Sequence, residues 1–419
     1  MNFIKFTFYN EKSGEFCSEF YKLTAFTNFI KMNNLKEFLD KKPLYYDEID
    51  YERFPKAFNL IKDNFKIPPC IHIVGTNGKG STGRFLALIL KANGRKVAHF
   101  TSPHIFSFNE RFWLDGRLAD DLKLQKAHEN LLKYFSKNKE IVENLSYFEW
   151  ATLLACELFA GFDEVIFEAG MGGEYDATNA LEKKLSIFTP LGLDHTDMLG
   201  STLEQIAITK LNAMGKNAII SPFFAKMDIA LEVAKSKGAS LEIAPKCSNL
   251  NASKIYLKKR AEFFKNNFAL ALCAALRLGA KWDKKILAKI KPFDLKGRFE
   301  KIAKNLYIDV GHNEHGAKGI VKALKGRKIK LIYNCFANKD ASAVLKAFAP
   351  KLEQILLYNY KSEQRKLADN IEKIAKSLNI PFSAFSKSEF YKDKKSTYLV
   401  FGSFVLVCEF LKDFYGSKK

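Results

Sequence analysis

The segment Val74-Gly75-Thr76-Asn77-Gly78-Lys79-Gly80-Ser81-Thr82 restricts this chain more than any other part of it. It follows a short apolar run, Cys70-Ile71-His72-Ile73-Val74. It opens a helical pattern carrying Phe85, Leu86, Leu88, Ile89 and Leu90, which stops at Asn93-Gly94. A glycine-rich turn from strand to helix is the setting of a phosphate-binding loop. Glycines let backbone N–H groups crowd around phosphate oxygens, the helix start adds positive potential, and a lysine reaches the outer phosphates. The strict spacing G-x4-G-K-[ST] is not kept, because position 73 is Ile and Gly80 separates Lys79 from Ser81. A plain turn between strand and helix is the competing reading. Lysine, hydroxyls and register coincide against it. Gly75, Thr76, Asn77, Gly78, Lys79, Gly80, Ser81 and Thr82 are therefore expected on the nucleotide.

The surrounding pattern alternates strands and helices. Strands are predicted at 96–100, 164–168, 185–189 and 217–221, and helices at 119–136, 147–160 and 262–278. The pattern breaks at Lys291-Pro292-Phe293-Asp294-Leu295-Lys296-Gly297-Arg298 and then resumes. The second stretch reads as strands 306–310, 328–334, 353–359 and 397–401, with helices 314–325, 340–349, 364–378 and 403–413. The predicted class is α/β: a P-loop-type, mostly parallel sheet domain over 32–295, then a smaller Rossmann-like α/β domain over 296–419. Residues 1–31 carry no usable motif. A misassigned upstream start and a genuine appendage both explain them. A short amphipathic helix is expected just after Met32.

Composition narrows the class little further. The seven cysteines (Cys17, Cys70, Cys156, Cys247, Cys273, Cys335 and Cys408) are odd in number and scattered. Without a CxxC pair they suggest neither a disulfide framework nor a zinc ribbon, and a reducing cytoplasm fits. No run reaches the roughly 18 apolar residues of a membrane span, and the N-terminus does not read as a signal peptide. The formal net charge of +21 would attract anions. The lysines are spread along the chain rather than massed on one element, which favours ordinary solvated faces.

Further motifs follow the loop in order. They are Thr101-Ser102-Pro103-His104 with Asn109-Glu110-Arg111, Phe148-Glu149 at a helix start, and the stretch Glu168-Ala169-Gly170-Met171-Gly172-Gly173-Glu174-Tyr175-Asp176-Ala177-Thr178-Asn179. Then come Asp194-His195 with Leu199-Gly200, Asn267-Phe268-Ala269-Leu270-Ala271, Gly297-Arg298, Asp309-Val310-Gly311-His312-Asn313 and Gly402-Ser403. Together, from about residue 33 to 415, they resemble the folylpolyglutamate synthase and dihydrofolate synthase branch of the Mur-type ligases. The resemblance implies ATP-dependent joining of L-glutamate to dihydropteroate or to a folate, through an acyl phosphate, with ATP and magnesium, two ions being expected. Phosphoryl transfer of this kind needs charge neutralisation and alignment.

Lys79 reads as the phosphate lysine, and Glu168 ends an apolar strand where an open α/β sheet places its ligands. The resemblance implies magnesium ligands at Ser102, Glu168 and His195. Read without it, His195 would be a hydrogen-bonded loop residue, since hard cations prefer oxygen. It also implies that Lys210 is carbamylated and holds a second ion. The alternative is an exposed helix lysine, and Lys210-Leu211-Asn212-Ala213 departs from the family's K-A-G-I. It assigns Asn267, Arg298, Asp309 and His312 to ATP, with Val310-Gly311 standing for Gly-Ala, and it places glutamate binding in the second domain. Asp309 ends the apolar strand 306–308, at a sheet edge suited to a ribose or adenine. Asn313 also suits a helix N-cap. On the pterin side, Thr101, His104 and Arg111 are substrate candidates. Phe106, Phe108 and Phe112 could stack on a pterin or pack in the core. Partners are expected to be small molecules rather than nucleic acid or membrane, and the chain to be a monomer. The alternatives are a monofunctional folylpolyglutamate synthase, a Mur-type peptide ligase, and a basic nucleic-acid-binding protein without activity. About 100 further residues would be needed before the loop for a murein ligase's first domain.

Overall fold

The computed structural model describes residues 3–10, 15–22, 34–44, 50–246, 257, 260–362 and 365–416. Residues 1–2, 11–14 and 23–31 of the prefix, and Cys247, lie outside the described residues. The chain divides into two compact units, Met1–Lys66 with Asp120–Ala160, and Ile67–Ala119 with Gly161–Lys419.

In the first unit, strands β1 (Phe3–Asn10) and β2 (Glu15–Lys22) pair antiparallel. The expected helix after Met32 is Leu35–Asp40, capped by Asn34, whose side chain accepts from the Glu37 amide. Phe38 packs against His128 and Trp150, which belong to helices Asp121–Tyr134 and Tyr147–Leu158. Ser146 and Glu149 form a capping box at the start of the latter helix. Arg53 Nε and Nη2 both lie 3.1 Å from the Glu149 carboxylate. The Phe148-Glu149 motif thus sets up a helix start and an ion pair within this unit.

The second unit contains two sheets. The first is built from β3 (Cys70–Val74), β4 (Val97–Phe100), β5 (Phe112–Leu114), β6 (Arg117–Leu118), β7 (Glu164–Glu168), β8 (Lys183–Phe188), β9 (Asn217–Ile220) and β10 (Ser240–Ile243). Its order is β10-β9-β8-β3-β7-β4-β5-β6. From β10 to β4 the strands are parallel, and β5 and β6 are antiparallel. The central strands are apolar and buried on both faces, as a helix-covered parallel sheet requires. Helix Lys79–Ala92 lies beside helix Glu262–Arg277, joined by Phe85 against Phe264, Phe268 and Phe293. Burying one such ring is worth about 1.5–3 kcal/mol.

The second sheet has β11 (Glu300–Ala303), β12 (Leu306–Asp309), β13 (Ile329–Tyr333), β14 (Leu352–Leu357), β15 (Phe382–Ala384) and β16 (Tyr398–Phe401), in the order β11-β12-β16-β13-β14-β15. Only β11 runs antiparallel. Helices Glu314–Leu324, Ala341–Phe348 and Phe404–Gly416 pack on it. The α/β class with two mostly parallel sheets is as the sequence implied.

One predicted helix is shorter than expected. The pattern at 364–378 yields a helix only at Ile371–Ser377. The residues before it are drawn into backbone pairing: Phe336 bridges Leu367, Ala337 N donates to Lys366 O, and Ala368 N donates to Cys335 O. β12 is also internal to its sheet, so Asp309 stands at the C-terminal rim of the strands rather than on an edge strand.

Candidate active site

Parallel order decides where the motifs meet. β8, β3, β7 and β4 are neighbours pointing the same way, so the segments after them leave from one rim. These segments are 189–195, 75–78, 169–179 and 101–111. The chain leaves β3 toward β4, whereas β7 crosses back to β8. A crevice at such a reversal is where open α/β sheets bind ligands.

The phosphate loop is fixed by what its glycines exclude. Gly75 and Gly78 have φ of 151° and 91°, which disfavour a side chain. A Cβ on Gly78 would lie 2.6 Å from Asn267 Oδ1. The buried Asn267 therefore backs the start of the helix. Thr76 N and Asn77 N donate to Pro190 O at 3.2 and 3.3 Å, and Thr76 Oγ1 donates to Gly192 O at 3.0 Å. Lys79 curls over its own loop, with Nζ 3.2 Å from Gly75 O. Ser81 and Thr82 are buried in the first turn.

Glu168 is buried at the end of β7. One of its oxygens accepts from the Thr101 hydroxyl and from the Ser102 amide, the latter at 3.2 Å. Gly80 gives the room for this, since a Cβ there would lie 3.1 Å from Glu168 Oε2 and 3.2 Å from Leu295. The 168–179 loop is braced from within: Met171 N and Thr178 N donate to Asp176 at 2.9 and 3.0 Å, and His72 Nε2 lies 2.8 Å from Thr178 Oγ1.

Lys210 is buried rather than exposed, with Nζ 3.4 Å from Gly172 O. Burial, together with the nearby Lys79 charge, pushes its ammonium down to about 7, against the pull of Asp194 and Asp176. The 168–179 loop is pressed against it: a Cβ on Gly173 would meet Lys210 O at 2.8 Å, and Glu174 N donates to Thr209 O at 2.9 Å.

His195 caps helix Thr196–Leu199 with φ 53°. Burial holds its imidazole down to about 3; Asp194 opposes this, while Lys339, His312 and Lys210 reinforce it. The ring is therefore neutral and keeps a lone pair for a ligand.

The two sheets meet at Asp194. Its Oδ2 lies 2.9 Å from His312 Nε2 and accepts from Asn313 Nδ2 at 3.2 Å. Its Oδ1 pairs with Lys339 Nζ at 2.6 Å. Burial alone would push this carboxyl up, but His312 and Lys339 hold it well below the carboxylate range. Beside it, Asn77 and Asn313 exchange amide hydrogen bonds of 3.0 and 3.2 Å, and Asn77 Nδ2 lies 3.0 Å from His315 Nδ1. Asn313 also caps helix Glu314–Leu324 by accepting from Gly316 N.

Asp309 is buried, and burial raises its carboxyl. Its oxygens accept from Phe299 N at 2.8 Å and Gly311 N at 2.7 Å. Arg298 lies over the Phe404 ring at 5.0 Å, within electrostatic range of Asp309 and Glu168. On the other flank, Arg111 Nε donates to His104 Nδ1 at 3.0 Å, and burial beside Arg111 takes that imidazole down to about 3. Phe112 is a core residue, Phe108 packs edge-on to it, and Phe106 is 48% exposed.

No family model matches the chain. Dihydrofolate synthase/folylpolyglutamate synthase of Haemophilus influenzae is 30% identical, covering 89% of this chain and 95% of its own length. The chain belongs to the dihydrofolate synthase/folylpolyglutamate synthase family. It is thus a ligase that forms carbon–nitrogen bonds. Among solved structures, Helicobacter pylori folylpolyglutamate synthetase is 37% identical with a TM-score of 0.72, covering 92% of this chain and 98% of that one. Escherichia coli FolC in complex with DHPP and ADP is 25% identical with a TM-score of 0.72, covering 89% of this chain and 94% of that one.

Reading this synthase family's motifs from sequence left Asp194 without a role and did not single out Lys339 or Arg84. Arg84 is buried and pairs with Asp294 at 2.6 Å, tying the phosphate helix to the segment where the sequence pattern breaks. Asp294 also accepts from Trp113 Nε1 at 3.2 Å. A lone acid in the Lys291–Arg298 stretch was the one available signal.

Proposed function

We propose that the chain is a bifunctional dihydrofolate synthase/folylpolyglutamate synthase, joining L-glutamate to dihydropteroate and to (poly)glutamylated tetrahydrofolate. The carboxylate of the pterin substrate takes the γ-phosphoryl of ATP, giving an acyl phosphate and ADP. The glutamate amine attacks the acyl carbon, phosphate leaves, and the amine proton goes to solvent. The observation that carries this reading is the meeting of the phosphate loop with the Asp309–Asn313 turn, through Asn77 and Asn313. A triphosphate between them would be enclosed from both sides, which shields the acyl phosphate from water.

In this reading Gly75 to Thr82 cradle the phosphates, with Lys79 on the outer ones. Asn267 braces the loop. Arg298 adds positive charge beside Glu168, and Asp309 and His312 face the rest of the nucleotide. Glu168, Ser102 and the neutral His195 suit a divalent cation, which would supply charge neutralisation to the transferred phosphoryl group. Lys210, with so low a pKa, holds a large fraction of neutral amine near pH 7. Such an amine can add CO2 to give a carbamate and a proton, turning a buried cation into an oxygen ligand. The other candidate grouping, Asp194, His195 and His312, has ligand atoms within 4.8 Å, but its Asp194 is already taken up by Lys339 and His312. Thr101, His104 and Arg111 border the acceptor. Their segment leaves the same rim as Glu168. The divide between working domains falls at 295/296, and the protein acts as a cytoplasmic monomer on small molecules rather than nucleic acid.

The test is phosphate release from ATP with L-glutamate and each pterin acceptor in turn. Release with dihydropteroate and with a tetrahydrofolate glutamate is expected. Release with the folate alone would reduce the reading to the monofunctional enzyme. Lys79→Ala and Glu168→Ala are expected to lower glutamate-dependent ADP release by about 1,000-fold, with unchanged circular dichroism. Full turnover by either variant would overturn the assignment.

A further inference from the structure

Lys339 has no part in the mechanism above, yet it makes the tightest contact at the junction of the two sheets. Its Nζ lies 2.6 Å from Asp194 Oδ1, and the two side chains are 11% and 10% exposed. Ion pairs on open surfaces contribute little, but breaking an enclosed one strands a charge without its partner. Removing the Lys339 cation would leave the largely enclosed Asp194 carboxylate without its ion-pair partner.

The backbone around Lys339 is fixed as well. The segment follows β13, where Ala337 N donates to Lys366 O, Lys339 N to Phe336 O and Ala341 N to Lys339 O. Asp340 then caps helix Ala341–Phe348. One residue earlier, Asn338 Nδ2 donates to Asp197 Oδ2 at 3.4 Å. The 338–339 turn therefore grips both ends of the Asp194–Asp197 segment. Asp194 in turn holds His312 and Asn313, and Asn313 holds Asn77 in the phosphate loop. Lys339 is thus linked to the phosphate loop by three successive side-chain contacts.

We propose that Lys339 is a positioning residue for ligation, acting through Asp194 to seat the His312–Asn313 turn against the phosphate loop. This rests on the ligase reading. ATP would be met by a pre-set second sheet rather than by one that must find its register after binding. The contacts with His312 and Asn313 give the Asp194 carboxylate its direction. Lys339 supplies the charge that keeps the carboxylate in place.

The test compares Lys339→Met and Lys339→Arg with the wild type in the full chain. Two quantities are read: the Kd for a non-hydrolysable ATP analogue, which needs no turnover, and steady-state constants for ATP and glutamate. In Lys339→Met the analogue Kd is expected to rise about tenfold and kcat to fall at least about tenfold, while the KM for glutamate stays within about threefold. Lys339→Arg is expected to recover both to within about threefold. In an Asp194→Asn background the Met substitution should add less than about twofold, because the two residues act as one unit. Analogue affinity unchanged in Lys339→Met would overturn the proposal, as would a loss confined to glutamate KM, or additive effects in the double variant. Should Lys339→Met fail to fold, the Arg variant and the Asp194→Asn pair carry the same comparison. A wild type without turnover would count against the ligase reading alone.

Discussion

The phosphate loop and the Asp194 junction lie at the same rim but are built differently. The loop is shaped by what is missing: positive φ at Gly75 and Gly78, and a space beside Asn267 that no side chain could enter. The junction is shaped by what is present, namely a carboxylate with His312, Asn313 and Lys339 on its two oxygens. A backbone-shaped site tolerates no addition, whereas a side-chain site tolerates no removal. The first is encoded within a few consecutive residues. The second is assembled from positions 118 to 145 residues apart.

The largest effect should come from breaking the backbone-shaped side. Gly78→Val adds a strained φ to a Cβ placed 2.6 Å from Asn267 Oδ1. It is expected to cost about 2–3 kcal/mol of stability and to remove measurable ATP binding. Gly94 is the control, with φ 84° but nothing within 4 Å of a built Cβ. Gly94→Ala should cost only about 1 kcal/mol and leave ATP binding intact. Denaturant unfolding and calorimetric titration with an ATP analogue would separate the two. Equal losses would mean that crowding at Asn267 is unimportant.

Next comes removal at the junction. Asp194→Asn keeps the size but withdraws the charge that Lys339 and His312 face, leaving the lysine enclosed without its anion. A fall in kcat of about 10- to 100-fold is expected. Because the pair is enclosed, the wild-type rate should respond only weakly to added salt between about 0.05 and 0.3 M. A steep decline of wild-type kcat over that range would place the working charges on the surface instead.

These contrasts explain what could be read in advance. The strand–helix alternation over 70–100 and 164–220 was legible because its strands are apolar and its turns carry glycine or capping residues. Strands such as 240–243 and 300–303 were not, because they are half-exposed and mix Glu, Lys and Ser with apolar residues. The helix expected from 364 lost its first turns to backbone pairing with 335–337, which no local pattern announces. Glu168 could be anticipated from its place at a strand end. Lys339 could not. It is one of many lysines, and only the fold brings it to Asp194. For Lys210 the sequence left a carbamylated ligand and an exposed helix lysine as alternatives, and its burial follows from the 168–179 loop closing over it.

Lys210 offers a pH-dependent test of that burial. Its ammonium is pushed down to about 7 in the folded protein, whereas an unfolded lysine titrates near about 10.4. Between these values the unfolded chain binds a proton that the folded chain does not. The Lys210 contribution to stability should therefore rise as pH goes from about 7 to about 10, and the full penalty for charging the buried amine should be present below pH 7. Denaturant midpoints of the wild type, relative to Lys210→Met, should climb over that window. A flat difference would mean that the amine is solvated in the folded state.

The smallest effect distinguishes the two duties of Asn313. Its Oδ1 caps helix Glu314–Leu324, while its Nδ2 reaches Asn77 and Asp194. Serine keeps the capping oxygen but has no amide group to bridge the sheets. Asn313→Ser should thus retain nearly all the stability, whereas Asn313→Ala should lose about 1 kcal/mol. Both should weaken ATP-analogue binding by a similar factor of about three to five, since the lost bridge is worth about 1 kcal/mol. If serine restored binding along with stability, the second sheet would be seated by its helix start alone. The Asn77–Asn313 exchange would then be a consequence of closure rather than one of its causes.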